Sequence, residues 1–228
     1  KMSTKFTWFG HAALGLEIDG KKIVVDPYFS ENPAASMSAA DVEADYILLS
    51  HGHFDHIGEA IEIARRTGAL VITNLELCDY LSSRGAKTHA QQPGGGHHHP
   101  FGYLKFTQAF HSSGLPDGSY GGTAVGFLIT TTRGEKIYLS CDTGLFGDMR
   151  LIGEEGIDLA VLPIGDNFTM GPDDALRAVK FIQPKRVVPV HYNTWDLIAQ
   201  DAQAWAARVR SETSAVVHLL KPGESLTI

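Results

Sequence analysis

The sequence predicts a single α/β domain in which helices cover a β-sheet. Three features indicate this class: an opening run of short alternating strands, a strand-then-helix rhythm in both halves of the chain, and an ordinary globular composition. With 228 residues, 43% of them hydrophobic and 20% charged, the chain can bury a large core. Strands that alternate with helices are typical of sheets whose faces helices cover. No linker or shift in composition divides the chain, so we expect one domain over residues 1–228.

The first half predicts an antiparallel meander followed by alternating strands and helices. Asp19-Gly20 favours a hairpin turn between the second and third strands, and Gly68 is a typical helix end. Residues 29–45, rich in Ala and Ser, are either a mobile loop over a site or a surface connection. The predicted elements are strands at 5–9, 13–18, 22–25, 46–49 and 69–73, and helices at 59–67 and 75–84.

The second half predicts a strand, a hairpin, four further strands and two helices. Gly171-Pro172 favours a helix start, because proline suits the first helical position and the aspartates that follow suit the first turn. Residues 91–101, with three glycines and the run His97-His98-His99, predict a flexible loop with surface histidines; lining of a pocket is the alternative. The predicted strands are 103–110, 123–131, 136–140, 158–162, 186–190, 215–220 and 225–228, and the second helix is 198–209.

The charge and the cysteine content restrict the partners. A formal net charge of -7 argues against nucleic acid, because phosphate binding favours a basic surface. No apolar run reaches membrane-spanning length and no basic-then-apolar signal pattern opens the chain, so we expect no membrane partner. Cys78 and Cys141 lie in different contexts and predict packing rather than a disulfide, which makes the cytoplasm the expected location. We expect a small-molecule substrate. The sequence is compatible with either a monomer or a homo-oligomer.

The strongest functional signal is the stretch 51–56, which reads His-Gly-His-Phe-Asp-His and follows an apolar strand. Side chains alternate along extended backbone, so His51 and His53 point the same way and can share one metal ion. Asp55 and His56 follow as the chain turns toward a helix, where they can hold a second ion. Imidazole and carboxylate together suit zinc, manganese or iron. A loop facing solvent would explain one such histidine, but not this cluster after a buried strand.

Metal-competent side chains also follow other predicted strands, at Asp26, His111, Asp142 and His191. Each has a simpler interpretation when taken alone: a hydrogen-bonded core histidine, or a turn former before Gly144 in the case of Asp142. If the strand ends meet at one edge, five histidines and two aspartates converge. That set is sufficient for two ions with open positions left for water.

The chain resembles members of the metallo-β-lactamase superfamily. The resemblance spans essentially the whole chain and rests on five motifs in the superfamily's order: Asp26, the H-x-H-x-D-H stretch at 51–56, His111, Asp142 and His191. It implies the superfamily's four-layer αββα sandwich. A narrower resemblance, to the small stand-alone hydrolases related to ascorbate-phosphate lactonase, rests on Gly10-His11-Ala12 and on residues 110–113 and 168–172.

The resemblance implies a role for each motif residue. The first metal ion would be bound by His51, His53 and His111. The second would be bound by Asp55, His56 and His191, with Asp142 bridging both ions and Asp26 orienting a ligand imidazole. Asp55 and Asp142 would be the catalytic residues. The implied substrate contacts are His11, for which a structural hydrogen bond is the alternative, together with Ser112, Asn167, Thr169 and Tyr192.

The activity expected from this site is hydrolysis with two divalent metal ions, zinc first and manganese or iron as alternatives. A hydroxide that bridges the ions would attack a small, anionic ester, lactone or thioester. A small phosphodiester is the alternative substrate, less favoured because no basic phosphate clamp is evident. A di-iron redox protein and a non-catalytic binding protein are the weaker alternatives, since no flavin domain is evident and the ligand set is complete.

Overall fold

The computed structural model describes residues 3–228, which form two facing β-sheets flanked by helices. The strands in chain order are β1 (Lys5–Gly10), β2 (Ala13–Ile18), β3 (Lys21–Val25), β4 (Tyr46–Leu48), β5 (Leu70–Thr73), β6 (Lys87–Ala90), β7 (Gly96–His99), β8 (Gly102–Gln108), β9 (Val125–Thr131), β10 (Lys136–Leu139), β11 (Leu159–Pro163), β12 (Arg186–Val190), β13 (Val216–Val217) and β14 (Ser225–Thr227). The helices are α1 (Phe54–Ile57), α2 (Ala60–Thr67), α3 (Leu75–Ser82), α4 (Met149–Glu154), α5 (Pro172–Ile182) and α6 (Ala202–Glu212).

Each sheet has seven strands within residues 3–228, and the two sheets follow the same plan. The first has the order β14-β1-β2-β3-β4-β5-β6 and the second β13-β12-β11-β10-β9-β8-β7. An antiparallel meander opens each, β1 to β3 and β7 to β10. Parallel strands follow, β4 to β6 and β11 to β13. Parallel strands carry their carboxyl ends to one edge of a sheet, which brings together the loops that leave them.

Alternating side chains of the first sheet enter two different apolar clusters. Ile47 and Val71 pack on the helical side, in a cluster that includes residues of α2 and α3. Leu48 and Ile72, one residue further along each strand, pack in the larger cluster between the sheets. Burial on both faces explains why the parallel strands have continuous apolar sequences. The predicted αββα sandwich in a single domain is therefore confirmed.

The structure corrects the predicted elements in four places. Residues 91–101 are not one flexible loop, because Gly96–His99 forms β7 and pairs with β8 in an antiparallel hairpin. Strand β6 and helix α4 lie where no element was predicted. The last predicted helix begins later than expected: a 3₁₀ turn at Asp196–Ile198 comes first, and Asp201 then caps α6 by accepting a hydrogen bond from the Ala204 amide at 2.9 Å.

Residues 29–45 form a connection whose side chains anchor it to the helical-side cluster. Phe29 and Val42 are buried in the helical-side cluster. The Arg66 guanidinium donates hydrogen bonds to the carbonyls of Ala39 and Val42, at 2.9 and 2.7 Å. Cys78 is buried and Cys141 packs against the larger cluster, as predicted for both free thiols. Among the helices of residues 3–228, none has the length and apolarity to span a membrane.

Candidate metal centre

The candidate residues lie where strands end, at one edge of the sandwich. Residues 51–56 follow β4 and continue into α1, while Asp26 and His191 come directly after β3 and β12. Asp26 and His191 have left-handed backbone, with φ of 45° and 54°. Non-glycine residues seldom adopt this conformation, and such strain concentrates at functional sites. It turns the chain sharply at the strand end and places both side chains in the site.

Three imidazoles form the first group. His51 Nε2 lies 3.0 Å from His53 Nδ1, which in turn lies 3.2 Å from His111 Nε2. The ligand-capable atoms of all three lie within 4.8 Å of one another. His51 and His53 therefore converge as alternation along extended backbone predicts. Ser112 Oγ lies 3.2 Å from the other ring nitrogen of His53, Nε2, which leaves Nδ1 directed at the site.

The second group contains Asp55, His56 and His191. Asp55 Oδ2 lies 3.6 Å from His56 Nε2 and 3.8 Å from His191 Nε2. Asp142 connects this group to the first, because its Oδ2 lies 3.2 Å from His56 Nε2, 3.1 Å from His191 Nε2 and 3.5 Å from His111 Nε2. One carboxylate oxygen thus lies between the two imidazole groups.

The unpaired atoms of the site indicate that it fits cations. His56 Nε2, His191 Nε2 and Asp142 Oδ1 are buried and have no hydrogen-bond partner within residues 3–228. Each such atom costs about 1–3 kcal/mol when nothing satisfies it. The two aspartates and five imidazoles of these groups suit zinc, manganese or iron better than calcium or magnesium. Divalent ions bound here would satisfy these atoms and balance the carboxylate charge.

Asp26 lies behind the second group and contacts it through His56. Its Oδ2 is 2.8 Å from His56 Nδ1, and its two oxygens accept hydrogen bonds from the Ser50 amide at 2.8 Å and the Ser50 hydroxyl at 2.6 Å. Ser50 Oγ also lies 2.9 Å from His51 Nδ1. Hydrogen bonds on the outer nitrogen fix the tautomer and ring plane of a ligand imidazole. Both His56 and His51 therefore present Nε2 to the site.

His11 lies beneath Asp55 rather than in contact with a substrate. Its side chain is fully buried, with Nε2 2.9 Å from Asp55 Oδ2 and Nδ1 2.6 Å from Thr194 Oγ1. A carboxylate only accepts, so Nε2 carries the proton and donates to Asp55. Burial lowers the pKa of His11 to about 4, so the ring is neutral and its Nδ1 accepts from the Thr194 hydroxyl. This burial corrects the expectation of a substrate contact and supports the structural alternative. His11 holds the Asp55 carboxylate in place.

The two groups have opposite electrostatics. Burial disfavours the charged form of His191, but the Asp142 carboxylate outweighs burial and raises the pKa to about 9. The pKa of His56 is raised well above its ordinary value for the same reason, with Asp55 and Asp26 adding to the effect. The pKa of His51 is lowered well below its ordinary value, first by burial and then by the charge on His56. The imidazoles of the first group are therefore neutral at pH 7, whereas those of the second group must release protons when a metal ion binds.

The metal-free protein is expected to lose stability between pH 6.5 and about 9, and Zn²⁺ should stabilise it increasingly over that range. Charged His191 stabilises the fold fully below its ordinary pKa of 6.5, and this contribution is lost as the pH rises through about 9. Zinc needs the neutral imidazole, so proton competition weakens over the same interval. Thermal unfolding with and without micromolar Zn²⁺ measures both effects. A zinc-induced rise in Tm that shrinks toward pH 9 would contradict the prediction.

The two groups open into a cavity of about 520 Å³. Ser112 lines it, but Tyr192 does not: it is 8% exposed and stacks on Trp8 with ring centroids 5.6 Å apart. Asn167 and Thr169 also lie outside the lining, where Phe168 between them takes part instead. Within residues 3–228 the lining includes no histidine of β7.

Four pocket residues were not among the predicted contacts. Phe54, Phe168 and Leu197 line the cavity although they are 55%, 52% and 63% exposed, and Trp195 lines it as well. Trp195 follows His191 closely in sequence, but a position just before the predicted helix 198–209 favours packing. The sequence did contain a signal for these residues: each is a large apolar residue in a polar loop, close to a metal-ligand motif.

This fold and this site define the class of protein: a metal-dependent hydrolase built on an αββα sandwich. A family model described as the beta-lactamase superfamily domain matches residues 21–192. The chain belongs to the beta-lactamase superfamily.

Closer relatives carry the same description of activity. A UPF0173 metal-dependent hydrolase of Pelotomaculum thermopropionicum is 49% identical over 230 residues, covering 98% of this chain and 100% of the relative. One of Thermus thermophilus is 46% identical over 222 residues, covering 97% of each. The solved structure of a metallo hydrolase from Ignicoccus hospitalis is 35% identical with a TM-score of 0.91, covering 100% of this chain and 99% of that one.

Proposed function

We propose that the protein is a dinuclear hydrolase that cleaves a carboxylic ester, lactone or thioester bearing an apolar group. The observation that carries this is Asp142 Oδ2, which lies within 3.5 Å of histidine nitrogens from both groups. A carboxylate oxygen in that position suits two divalent ions, zinc first, with manganese or iron as alternatives. The cavity opens beside both histidine groups and would give a substrate direct access to ions held there.

Two bound dications would lower the pKa of a coordinated water and polarise the scissile carbonyl. Residues of the chain itself orient the attacking water. Burial would favour neutral Asp55, but the charge on His56, the hydrogen bond from His11 and the nearby His191 imidazole hold its pKa far below the ordinary value. Asp55 is therefore a carboxylate at neutral pH, and its side chain is 13% exposed, at the wall of the cavity. It accepts a hydrogen bond from the attacking water and so fixes its orientation.

The cavity favours a substrate with an apolar part. Phe54, Phe168, Trp195 and Leu197 surround the opening, and within residues 3–228 no lysine or arginine lines it. A phosphodiester or another multiply charged substrate would depend on the ions alone for its charge. A carboxylic ester places only its carbonyl oxygen at the ions, while an acyl or alkyl group packs against the apolar rim. The same lining and the net charge of -7 support a small molecule over nucleic acid.

Metal content and a substrate panel test this proposal. The protein is freed of metal, reconstituted separately with Zn²⁺, Mn²⁺ and Fe²⁺, and assayed on nitrophenyl esters, lactones, thioesters and bis-nitrophenyl phosphate. About two equivalents of zinc with turnover of a carboxylic substrate support it. Faster turnover of the phosphodiester, or activity only as an iron redox protein, would overturn the substrate class. Absence of turnover with every ion would indicate that the protein binds its ligand without cleaving it.

Trp195→Ala should selectively reduce activity on substrates with long apolar acyl groups. Removing the indole takes away apolar contact area, so kcat/KM for an octanoyl ester should fall about 10-fold or more while that for an acetyl ester changes little. Leu151→Ala is the matched control, because Leu151 is an exposed apolar residue, 59% accessible, outside the cavity lining. Equal loss on acetyl and octanoyl esters would contradict an acyl-binding role for the rim.

A further inference from the structure

A second cluster of three histidines lies away from the catalytic cavity, where the last strands of the two sheets meet. His89 is on β6, the edge strand of the first sheet, and His97 and His99 are on β7, the edge strand of the second. The ring centroids are 4.6 Å apart for His89 and His97, 5.0 Å for His89 and His99, and 4.8 Å for His97 and His99.

These spacings match those of the first catalytic group. There the ring centroids are 4.6, 4.8 and 5.0 Å apart among His51, His53 and His111. Three imidazoles whose nitrogens lie about 2.0–2.1 Å from one ion necessarily approach each other closely. The ring separations of the edge cluster are therefore close to those of the first catalytic group.

The neighbours of His99 fix the tautomer and the orientation of its ring. Gln91 is buried and donates through Nε2 to the Leu104 carbonyl at 3.1 Å, which directs its Oε1 at His99 Nε2, also 3.1 Å away. An amide oxygen only accepts, so His99 Nε2 carries the proton and Nδ1 keeps its lone pair. The ring stacks on Phe101 with an interplanar angle of 8° and centroids 5.3 Å apart. A hydrogen bond from the outer nitrogen to a carbonyl is the usual support of a metal-binding histidine.

Burial lowers the pKa of two of the three rings, His89 and His99. Burial, followed by the charges of His89 and His97, lowers the pKa of His99 to about 4. Burial and then the charge of His97 lower the pKa of His89. Neutral imidazole is the form that binds transition metals. Three nitrogens without a carboxylate suit zinc better than calcium or magnesium.

The ligand atoms of His89, His97 and His99 do not all lie within 4.8 Å of one another as the rings stand, so binding one ion requires rings to rotate. Within residues 3–228, the groups whose ligand atoms already lie within 4.8 Å of one another belong to the catalytic centre. His97 is exposed, and the outer torsion of histidine is broad and roughly two-fold. Turning that ring changes which nitrogen faces His89 and His99 without moving the backbone.

We propose that His89, His97 and His99 form a zinc site, separate from the catalytic centre, that connects the edge strands of the two sheets. Water fills the fourth position. The ion ties β6 to β7, two strands that have no backbone pairing with each other, and so holds the open edge of the sandwich together. The site does not depend on the proposed hydrolytic function, because none of its residues lines the cavity.

Zinc stoichiometry tests the proposal with a control from the same strand. His98 points to the opposite face of β7 and its ring lies 4.8 Å from that of Tyr103. Metal-free proteins are equilibrated with Zn²⁺ at micromolar free concentration, and zinc per chain is measured by mass spectrometry. The parent and His98→Ala should each bind one equivalent more than His97→Ala or His99→Ala. Hydrolysis by His97→Ala should match that of the parent, which also shows that the variant folds.

Two further measurements separate this site from the catalytic one. The additional equivalent should persist in Asp142→Asn, in which zinc binding at the catalytic centre is reduced. Thermal unfolding of the parent should show a zinc-induced rise in Tm that is larger than that of His97→Ala. Equal zinc counts in His97→Ala and His98→Ala would overturn the proposal, as would an additional equivalent that binds only at millimolar Zn²⁺.

Discussion

Replacing Asp142 with asparagine is expected to reduce hydrolysis by about 10²–10³-fold or more and to reduce the zinc content of the protein. Asp142 Oδ2 contacts both imidazole groups, at 3.1 Å from His191 Nε2 and 3.5 Å from His111 Nε2. Asparagine keeps the shape of the side chain but removes the negative charge that balances the ions. Turnover of the best substrate from the panel and zinc per chain measure the two effects.

Asp196→Asn is the matched control for this substitution. Asp196 is an exposed carboxylate between the cavity residues Trp195 and Leu197, so its amide variant should keep both activity and zinc. In metal-free Asp142→Asn the pKa of His191 should fall below about 9, because the Asp142 carboxylate is what outweighs burial. An NMR titration of the imidazole measures that shift. Turnover within a few-fold of the parent would contradict the bridging role of Asp142.

Asp26→Ala is expected to weaken zinc binding by about 10–100-fold although Asp26 touches no ion. The carboxylate is 1% exposed and interacts with Ser50, through its amide and hydroxyl, and with His56 Nδ1 at 2.8 Å. Alanine leaves the Ser50 amide and His56 Nδ1 buried without an acceptor, at about 1–3 kcal/mol each. Zinc affinity measured by competition with a chromogenic chelator and the Tm of the metal-free protein separate loss of binding from loss of stability.

Asp26→Asn tests whether the tautomer of His56 is the reason. The amide has one accepting oxygen, so its NH₂ group must face either the Ser50 amide or His56 Nδ1. In the second orientation His56 Nδ1 accepts, the proton moves to Nε2, and the ligand atom is blocked. Asp26→Asn should therefore bind zinc more weakly than the parent while losing less stability than Asp26→Ala. Parent-like zinc affinity in both variants would show that Asp26 does not orient His56.

Much of the metal centre was predictable because its determinants are local. His51 and His53 are two residues apart on extended backbone, and that spacing alone places them on the same side. Asp142 and His191 follow strongly apolar strands, and parallel strands bring their carboxyl ends to one edge whatever the detailed packing. The sequence alone therefore determined the fold class and which side chains meet.

The tertiary structure determined which residues surround the metal-binding side chains. Tyr192 lies between His191 and Asn193, both with left-handed backbone, so alternation does not apply and its ring turns inward onto Trp8. His11 reaches Asp55 across 44 positions of sequence, through burial that no local pattern encodes.

The edge histidines depend on the same kind of long-range contact. Residues 91–101 look like a glycine-rich loop when considered alone, and Gly96–His99 becomes a strand because β8 pairs with it. Only that pairing, and the adjacent edge of the other sheet, brings His97 and His99 to His89. Short-range periodicity determines where a side chain points, whereas contacts between distant segments determine what it meets.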